Sequence, residues 1–164
     1  MSKEKFTHIA EFGKALAMNT QMDSSLEMIA DKSKELLNAE RCSIFMVDNE
    51  AQMLWTKHSD GIGRIAISLD SGIAGETFQK QMYQLVNDPY KDKRFLAGID
   101  KQSGFVTKNI ITMPIISSMR NVIGVIQLLN KNEGDFTSDD VHVLTFFANY
   151  VSGSLELSLM LSDN

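Results

Sequence analysis

The sequence contains a single cysteine, Cys42, among its 164 residues. One cysteine excludes an internal disulfide and any metal site built from a cluster of cysteines. Cys42 opens the apolar run 42–47, which predicts a small core residue rather than a reactive thiol.

Long hydrophobic runs and an excess of positive charge are also missing. No stretch approaches the ~20 apolar residues that cross a membrane, and charged residues interrupt the first twenty positions, where a signal peptide needs an apolar segment. The chain has 16 basic and 21 acidic residues and a net charge of -5, which argues against sequence-independent binding to nucleic acid. We therefore expect a cytoplasmic protein with neither a membrane nor a nucleic acid as partner.

Recognisable motifs for catalysis and metal binding are absent from the sequence. The three histidines, His8, His58 and His142, are far apart, and none has the spacing of a zinc motif. Neither a P-loop nor a GxSxG nucleophile elbow occurs. The sequence thus predicts no catalytic residue, no metal ligand and no required cofactor, and we do not expect an enzyme.

The sequence has the pattern of a single domain over residues 1–164 that contains both helices and strands. Its composition, 43% hydrophobic and 23% charged residues, is that of a globular protein. Hydrophobic periodicity and turn residues predict the order of its elements. They are a helix at 4–18, a helix opened by a Ser24/Glu27 capping box, strands at 41–47, 51–57 and 65–67, a helix at 73–81, an extended segment at 83–86, a surface helix at 92–102, strands at 109–116 and 121–129, and a long helix from Thr137.

Two features of this pattern indicate a ligand site. A helix that begins at Gly72-Ile73-Ala74-Gly75 would present free backbone N–H groups suited to an anion, although the glycines could equally serve a tight turn. Ser43 and Gln127 interrupt otherwise apolar strands, which favours a polar cavity against the sheet. A third segment, 100–109, is dense in hydrogen-bonding side chains and alone would be a polar loop.

Four segments resemble, in order and at family spacing, the GAF domains of cyclic-nucleotide phosphodiesterases and bacterial adenylate cyclases. They are residues 41–48, 72–75, 103–110 and 122–131, and the resemblance covers about residues 22–156. It implies an α+β fold of the GAF (profilin-like) type, with a central antiparallel sheet of six strands. The N- and C-terminal helices would cover one face of this sheet, and a ligand pocket roofed by two short helices would lie on the other.

The resemblance also implies the residues that bind the ligand. Ser43 and Asp60 match positions near the base, and Ile73 and Ala74 match positions near the phosphate and ribose, while Ser59 and Leu96 stand where relatives have aromatic residues. The full expected set is Ser43, Ser59, Asp60, Ile73, Ala74, Leu96, Asp100, Ser103, Thr107 and Gln127.

A further family signature is matched in part by Asn130, Lys131, Phe136 and Asp140, with Val141 in place of its final glutamate. In the family this motif lies beside the pocket. The resemblance therefore implies an ion pair between Lys131 and Asp140 that braces the pocket without touching the ligand.

These features predict a sensory domain of a signal-transduction protein that binds a small molecule, with cAMP or cGMP as the expected ligand. The apolar seam of the last helix predicts a homodimer formed through the terminal helices; it comprises Leu144, Phe147, Ala148, Val151, Leu155 and Leu159. A C-terminal output domain such as a cyclase, a phosphodiesterase or a histidine kinase would suit such a helix. The alternatives are a dimerisation module with a degenerate pocket, or a domain that senses a different metabolite.

Overall fold

The structure is a computed structural model that describes residues 1–19, 21–60 and 63–162, with side chains up to Ser158. Five α-helices and six strands account for most of these residues. The helices are α1 (Lys3–Ala17), α2 (Met22–Leu37), α3 (Gly72–Lys80), α4 (Ala97–Ser103) and α5 (Ser138–Ser162), and a short 3-10 helix spans Pro89–Lys91. The strands are β1 (Ala39–Asp48), β2 (Met53–Ser59), β3 (Ala66–Ser68), β4 (Gln84–Val86), β5 (Ile110–Ile116) and β6 (Val122–Lys131).

The six strands form one sheet in the order β3-β2-β1-β6-β5-β4. Every neighbouring pair is antiparallel. The predicted α+β class and the six-stranded antiparallel sheet are therefore confirmed.

Side chains alternate between the two faces of this sheet, as the period of a strand requires. Ile126 and Leu128 of β6 pack into a large core with α1, α2 and α5, whereas Val125 and Leu129 belong to smaller clusters with α3 on the other side. We call the first side the helix face and the second the cavity face. The predicted division between terminal helices and pocket follows from this alternation.

Helix α5 is the central element of the helix layer. Its apolar seam from Leu144 to Leu155 is buried within the chain, and the side chain of Leu159 lies outside the described residues. Helix α1 covers part of α5, where Phe12 contacts the ring of Phe147 and Tyr150 donates a hydrogen bond to the carbonyl of Ile9 at 2.8 Å. No helix within the described residues is both long and apolar enough to span a membrane.

Two sequence predictions about helices are wrong in detail. Helix α2 begins at Met22 rather than Ser24, and no capping box forms, because Ser24 Oγ accepts a hydrogen bond from Asn19 at 2.9 Å instead. The helix predicted at 92–102 is limited to Ala97–Ser103, because Asp92 accepts hydrogen bonds from the backbone and side chain of Arg94 and so fixes a turn. Helix α4 also does not lie wholly on the surface, since it buries Asp100.

Candidate functional site

A narrow cavity lies on the cavity face, between the sheet and helices α3 and α4. Its volume, taken as the space that the centre of a water molecule can reach, is only about 60 Å³. Seven of the expected ligand residues line it, namely Ser43, Ile73, Ala74, Leu96, Asp100, Thr107 and Gln127.

A row of polar residues runs across neighbouring strands on the cavity face. Ser43 and Gln127 of this row form part of the cavity floor. Ser43 of β1 is paired with Ser59 on one side and with Gln127 on the other, and Gln127 is paired with Thr112. Thr112 Oγ1 is 2.6 Å from Thr77 Oγ1 of α3, so the buried end of the row is hydrogen-bonded. The prediction that the polar strand residues Ser43 and Gln127 face a cavity is therefore confirmed.

The start of α3 forms one wall of the cavity. Gly72 has φ +72°, a conformation that glycine adopts without strain, and a Cβ on Gly75 would lie 3.0 Å from the backbone oxygen of Leu69. Both glycines are therefore required by the turn. Ile73 and Ala74, the two residues between them, are buried against the cavity. The turn that needs the glycines also brings the first helical residues to the cavity.

The roof of the cavity is α4 together with the segment that follows it. Asp100, 7% exposed, accepts hydrogen bonds from Tyr90 Oη at 2.6 Å, from the Thr107 amide at 2.8 Å and from Thr107 Oγ1 at 2.8 Å. The hydrogen bond to Asp100 raises the pKa of Tyr90. Leu96 closes the roof over α3, since a Cβ on Gly72 would lie 3.0 Å from its side chain. Asp100 is thus committed to holding the roof.

Asp60 is not brought to the cavity. Its carboxylate faces α2, where it accepts a hydrogen bond from the Cys42 amide at 2.9 Å and pairs with Lys34 Nζ at 2.8 Å and His58 Nε2 at 3.2 Å. Burial would raise the pKa of Asp60, but the hydrogen bonds from Lys34 and the Cys42 amide outweigh it, and the pKa lies below its usual value. In this structure Asp60 fastens the end of β2 to the helix layer.

Two further expected residues, Ser59 and Ser103, do not line the cavity either. Ser59 Oγ is buried without a hydrogen-bond partner among the described residues, and residues 61–62 beside it lie outside them. Ser103 is exposed and its hydroxyl donates to the carbonyl of Ile99 at 3.1 Å, within its own helix. Both lie at the margin of the site.

The predicted motif lies directly beside the site. Lys131 forms the expected ion pair with buried Asp140, which also accepts a hydrogen bond from the Thr137 amide at 2.9 Å. Asn130 accepts from the Lys108 amide at 2.6 Å and donates to the carbonyl of Val106 at 2.8 Å.

Around the same motif, Phe136 is buried and its amide donates to Asn87 Oδ1 at 3.1 Å. The hydrogen bonds of Asn130 surround Thr107 on both sides along the chain. These contacts hold the segment that carries Thr107.

Aromatic side chains near the cavity were missed by the sequence reasoning. Phe95 lines the cavity beside Leu96 and contacts the ring of Tyr90 edge-on at 5.1 Å. Arg41 lies over the ring of Phe105 at 3.9 Å, and its Nη1 is buried without a hydrogen-bond partner among the described residues. The sequence did contain a signal for Phe95, because it directly precedes Leu96, the position where relatives have an aromatic residue. An aromatic side chain one residue away can fill the same wall of the cavity.

The lone cysteine is buried, and the described residues contain no cluster of metal ligands. Burial raises the pKa of the Cys42 thiol to about 12, and the side chain lies in the helix-face core. Within the described ranges, no three His, Cys, Asp or Glu side chains gather as they would around a metal ion.

Comparison with known proteins agrees with this geometry. A family model described as the GAF domain matches residues 21–155. The chain belongs to the GAF family. GAF domains are typically regulatory modules, and this family membership supports a domain that senses a small molecule in a signalling protein.

Two curated relatives of this GAF domain are phosphodiesterases. A probable 3',5'-cyclic phosphodiesterase of Caenorhabditis elegans is 31% identical over 144 residues, which are 79% of this chain and 20% of that protein. The dual 3',5'-cyclic-AMP and -GMP phosphodiesterase 11A of Takifugu rubripes is 32% identical over 127 residues, which are 68% of this chain and 14% of that protein. The chain therefore spans a fifth or less of the length of these relatives.

Two bacterial proteins of known structure have the same fold. The GAF domain of an Acinetobacter phosphoenolpyruvate-protein phosphotransferase is 18% identical with a TM-score of 0.84, and each chain covers 100% of the other. Free methionine-R-sulfoxide reductase of Neisseria meningitidis, solved with its substrate, is 19% identical with a TM-score of 0.82 over 98% of this chain and 95% of that one. At such identities the likeness concerns the fold alone.

Proposed function

We propose that this GAF domain is a sensor for a cyclic nucleotide, cAMP or cGMP, and that it has no catalytic activity of its own. The observation that carries the proposal is the cavity itself. It joins the start of α3 to the polar pair Ser43 and Gln127 and to Thr107. The relatives named as cyclic-nucleotide phosphodiesterases support this choice of ligand.

The phosphate would bind at the start of α3. The first hydrogen bond that closes this helix runs from the Gly75 amide to the Ser71 carbonyl at 3.0 Å, and the Ser71 side chain makes no capping bond. The amides of Ile73 and Ala74 therefore have no partner within the helix. Amides at a helix N-terminus, with the positive end of the helix dipole behind them, stabilise a phosphate.

The base would lie over the sheet, against Ser43 and Gln127. The hydroxyl of Ser43 and the amide of Gln127 can each donate or accept a hydrogen bond, so they can match the polar edge of a purine. Phe95 adds an aromatic wall to the same space. Ser59, Asp60 and Ser103 would contribute only if the margin of the site rearranged around the ligand.

Ligand entry would require the roof to open, because the cavity is too narrow for a nucleotide as it stands. The hydrogen bonds of Asp100 to Tyr90 and Thr107 are the contacts that entry would have to break or re-form. The ligand would enter through the open form, and the roof would then re-form over it, so that binding shifts the population towards a ligand-closed form. We propose that this shift is the signal.

The test is calorimetry and thermal denaturation with cAMP, cGMP and, for comparison, free methionine sulfoxide. We expect one cyclic nucleotide to bind and to raise the melting temperature by several degrees. The variant Gln127→Leu should weaken binding about tenfold, the cost of about 1.4 kcal/mol for a lost hydrogen bond in a closed site. Gln102→Leu, at an exposed position of α4 outside the cavity lining, is the matched control and should bind normally.

Failure of both nucleotides to bind a folded protein would contradict the proposal. Binding of methionine sulfoxide alone would favour a domain that senses a different metabolite. Conversion of methionine sulfoxide to methionine would contradict the absence of catalysis.

We further propose a homodimer and an output domain in a longer protein. The seam of α5 up to Leu155 packs within the chain, so a dimer would have to use outer surfaces of the terminal helices. Phe6 of α1 and Leu157 of α5 are 54% and 60% exposed and are candidates for such a contact. Light scattering at tens of micromolar tests the dimer, and a monomeric mass would contradict it. A dimer that binds no ligand would instead favour a dimerisation module with a degenerate pocket.

A further inference from the structure

A second cavity opens where two central strands separate; we call it the end cavity. The pairing of β1 with β6 stops at Met46 and Gly124. Strand β1 continues to Asp48 against β2, and β6 begins at Val122 against β5. The two strands are therefore no longer paired at this end of the sheet, and the end cavity lies there.

The walls of the end cavity are largely apolar. Water centres can reach about 630 Å³ of it, against about 60 Å³ in the cavity of the proposed cyclic-nucleotide site. This space is ample for a ligand of drug size without any rearrangement. The apolar residues that line it are Met22, Met46, Val47, Trp55, Phe78, Val122, Ile123 and Leu155.

The charged residues of this lining have the same sign. They are Lys57 and Arg120, and no described residue of the lining is acidic. Lys57 pairs with Asp23 at 3.5 Å, but the Asp23 side chain is 85% exposed, so the pair is weak and easily exchanged. Arg120 lies in the exposed turn between β5 and β6 and forms no ion pair among the described residues.

We infer that the end cavity is a binding site for an amphipathic organic anion, a molecule with an aromatic or aliphatic body and one carboxylate or sulfonate group. The body would lie against Met22, Met46 and Trp55, and the anionic group would pair with Lys57 and Arg120. The site is independent of the proposed cyclic-nucleotide site, since the two linings share no residue. It joins the end of α3, at Phe78, to α5, at Leu155.

The chain carries its own reporter for this site, because Trp55 is its only tryptophan. The experiment titrates the full chain with the aromatic sulfonate dye 1-anilinonaphthalene-8-sulfonate. We expect saturable binding of one dye per chain, with quenching of Trp55 emission by energy transfer to the dye. Decanoate, an aliphatic carboxylate, should displace the dye and restore the Trp55 emission.

The variants Arg120→Gln and Lys57→Gln should each weaken dye binding about threefold to fivefold, as expected for a partly exposed ion pair. Arg64→Gln is the matched control, since Arg64 lies 5.0 Å from the Trp55 ring but outside the end cavity. It should change the affinity less than twofold. Circular dichroism and the melting temperature check that each variant is folded.

Three results would overturn the inference. The first is dye binding that does not saturate or does not quench Trp55. The second is equal affinity in the wild type and in the Arg120→Gln and Lys57→Gln variants, or weaker binding in Arg64→Gln alone. The third is displacement of the dye by cAMP or cGMP in direct competition, which would put the dye in the first cavity. Loss of cyclic-nucleotide binding with normal dye binding would contradict the proposed function and leave this inference standing.

Discussion

The two faces of the sheet are built on different principles. On the helix face, neighbouring strands present buried apolar side chains to α1, α2 and α5. On the cavity face, the same strands present Ser43, Thr112 and Gln127, and the helices above them leave a cavity. A shift of one residue along a strand therefore moves from the packed core of the helix face to the lining of the cavity.

The strongest test of this difference between the faces is to remove a buried side chain from the helix face. Ile126 is fully buried there, next to Gln127 on the opposite face. We expect Ile126→Ala to lower the free energy of unfolding by about 2–4 kcal/mol, because it leaves a cavity in a packed core. Denaturant unfolding measures this.

The matched control is Ile116→Ala, an isoleucine of β5 that is 41% exposed, which should lower the same free energy by about 0.5 kcal/mol. Gln127→Leu should also change stability little. Equal losses from Ile126→Ala and Gln127→Leu would contradict the division of roles.

The Lys131–Asp140 pair should give the next largest effect, because we expect it to brace the cavity face from outside the cavity. Lys131→Met would leave Asp140, 1% exposed, without its cation. We expect a loss of about 2 kcal/mol, below the roughly 3–5 kcal/mol of fully buried pairs because Lys131 keeps contact with solvent and Thr137 still donates to Asp140. Cyclic-nucleotide affinity should fall as well, since the segment around Thr107 loosens.

Denaturant unfolding and calorimetry measure these two effects of Lys131→Met. Lys101→Met, on the exposed side of α4, is the control and should behave like the wild type. If Lys131→Met left both stability and affinity unchanged, the bracing role would be wrong.

We expect the roof of the cavity to be more mobile than the helix-face core. Asp100→Asn replaces a carboxylate that accepts three hydrogen bonds with a neutral amide, whose NH₂ group can only donate, so that a hydroxyl partner must turn and accept in place of one of these bonds. We expect a loss of about 1–2 kcal/mol and faster hydrogen exchange at the Thr107 amide.

For comparison with Asp100→Asn, Tyr90→Phe removes only the exposed partner and should lower the stability less than Asp100→Asn does. Unchanged exchange at Thr107 in the Asp100→Asn variant would show that the roof is held by packing instead.

The smallest expected effect concerns Asp60, which links the end of β2 to α2. Because its pKa is lowered in the folded protein, its contribution is present above the unfolded pKa of about 4 and is lost as the pH falls through the lower folded value. Asp60→Asn should cost about 1 kcal/mol or less at pH 7, since the pair is partly exposed.

Stability measured from pH 7 to pH 2 tests this prediction. The curves of wild type and Asp60→Asn should converge towards the acid end. Asp135→Asn, at an exposed position, should run parallel to the wild type throughout. A constant gap between wild type and Asp60→Asn would contradict the assignment.

Much of the fold and part of the site follow from local patterns in the sequence. The strand period explains why Ser43 and Gln127 could be assigned to a cavity from the sequence alone, since a polar residue among apolar neighbours identifies one face. The glycines of 72–75 likewise identify a turn into a helix. The Lys131–Asp140 pair came from the resemblance and is present.

The remaining features depend on contacts between distant segments. Asp60 could not be assigned to α2 from sequence, because the ion pair with Lys34 depends on where the chain turns after β2. The hydrogen bonds of Asp100 with Tyr90 and Thr107 likewise depend on tertiary packing. The end of the β1–β6 pairing at Met46 could not be predicted either, because neither strand has a residue pattern that indicates it.

Hydrogen exchange in the presence of cAMP or cGMP at saturating concentration tests the separation of the two faces most directly. We predict that one of them slows exchange at residues 72–76, 95–107 and in β6 around Gln127, with little change in the helix-face core of α2. Saturation is checked by calorimetry in the same buffer. Protection confined to α1, α2 or α5, or no protection and no binding with either nucleotide, would contradict the account.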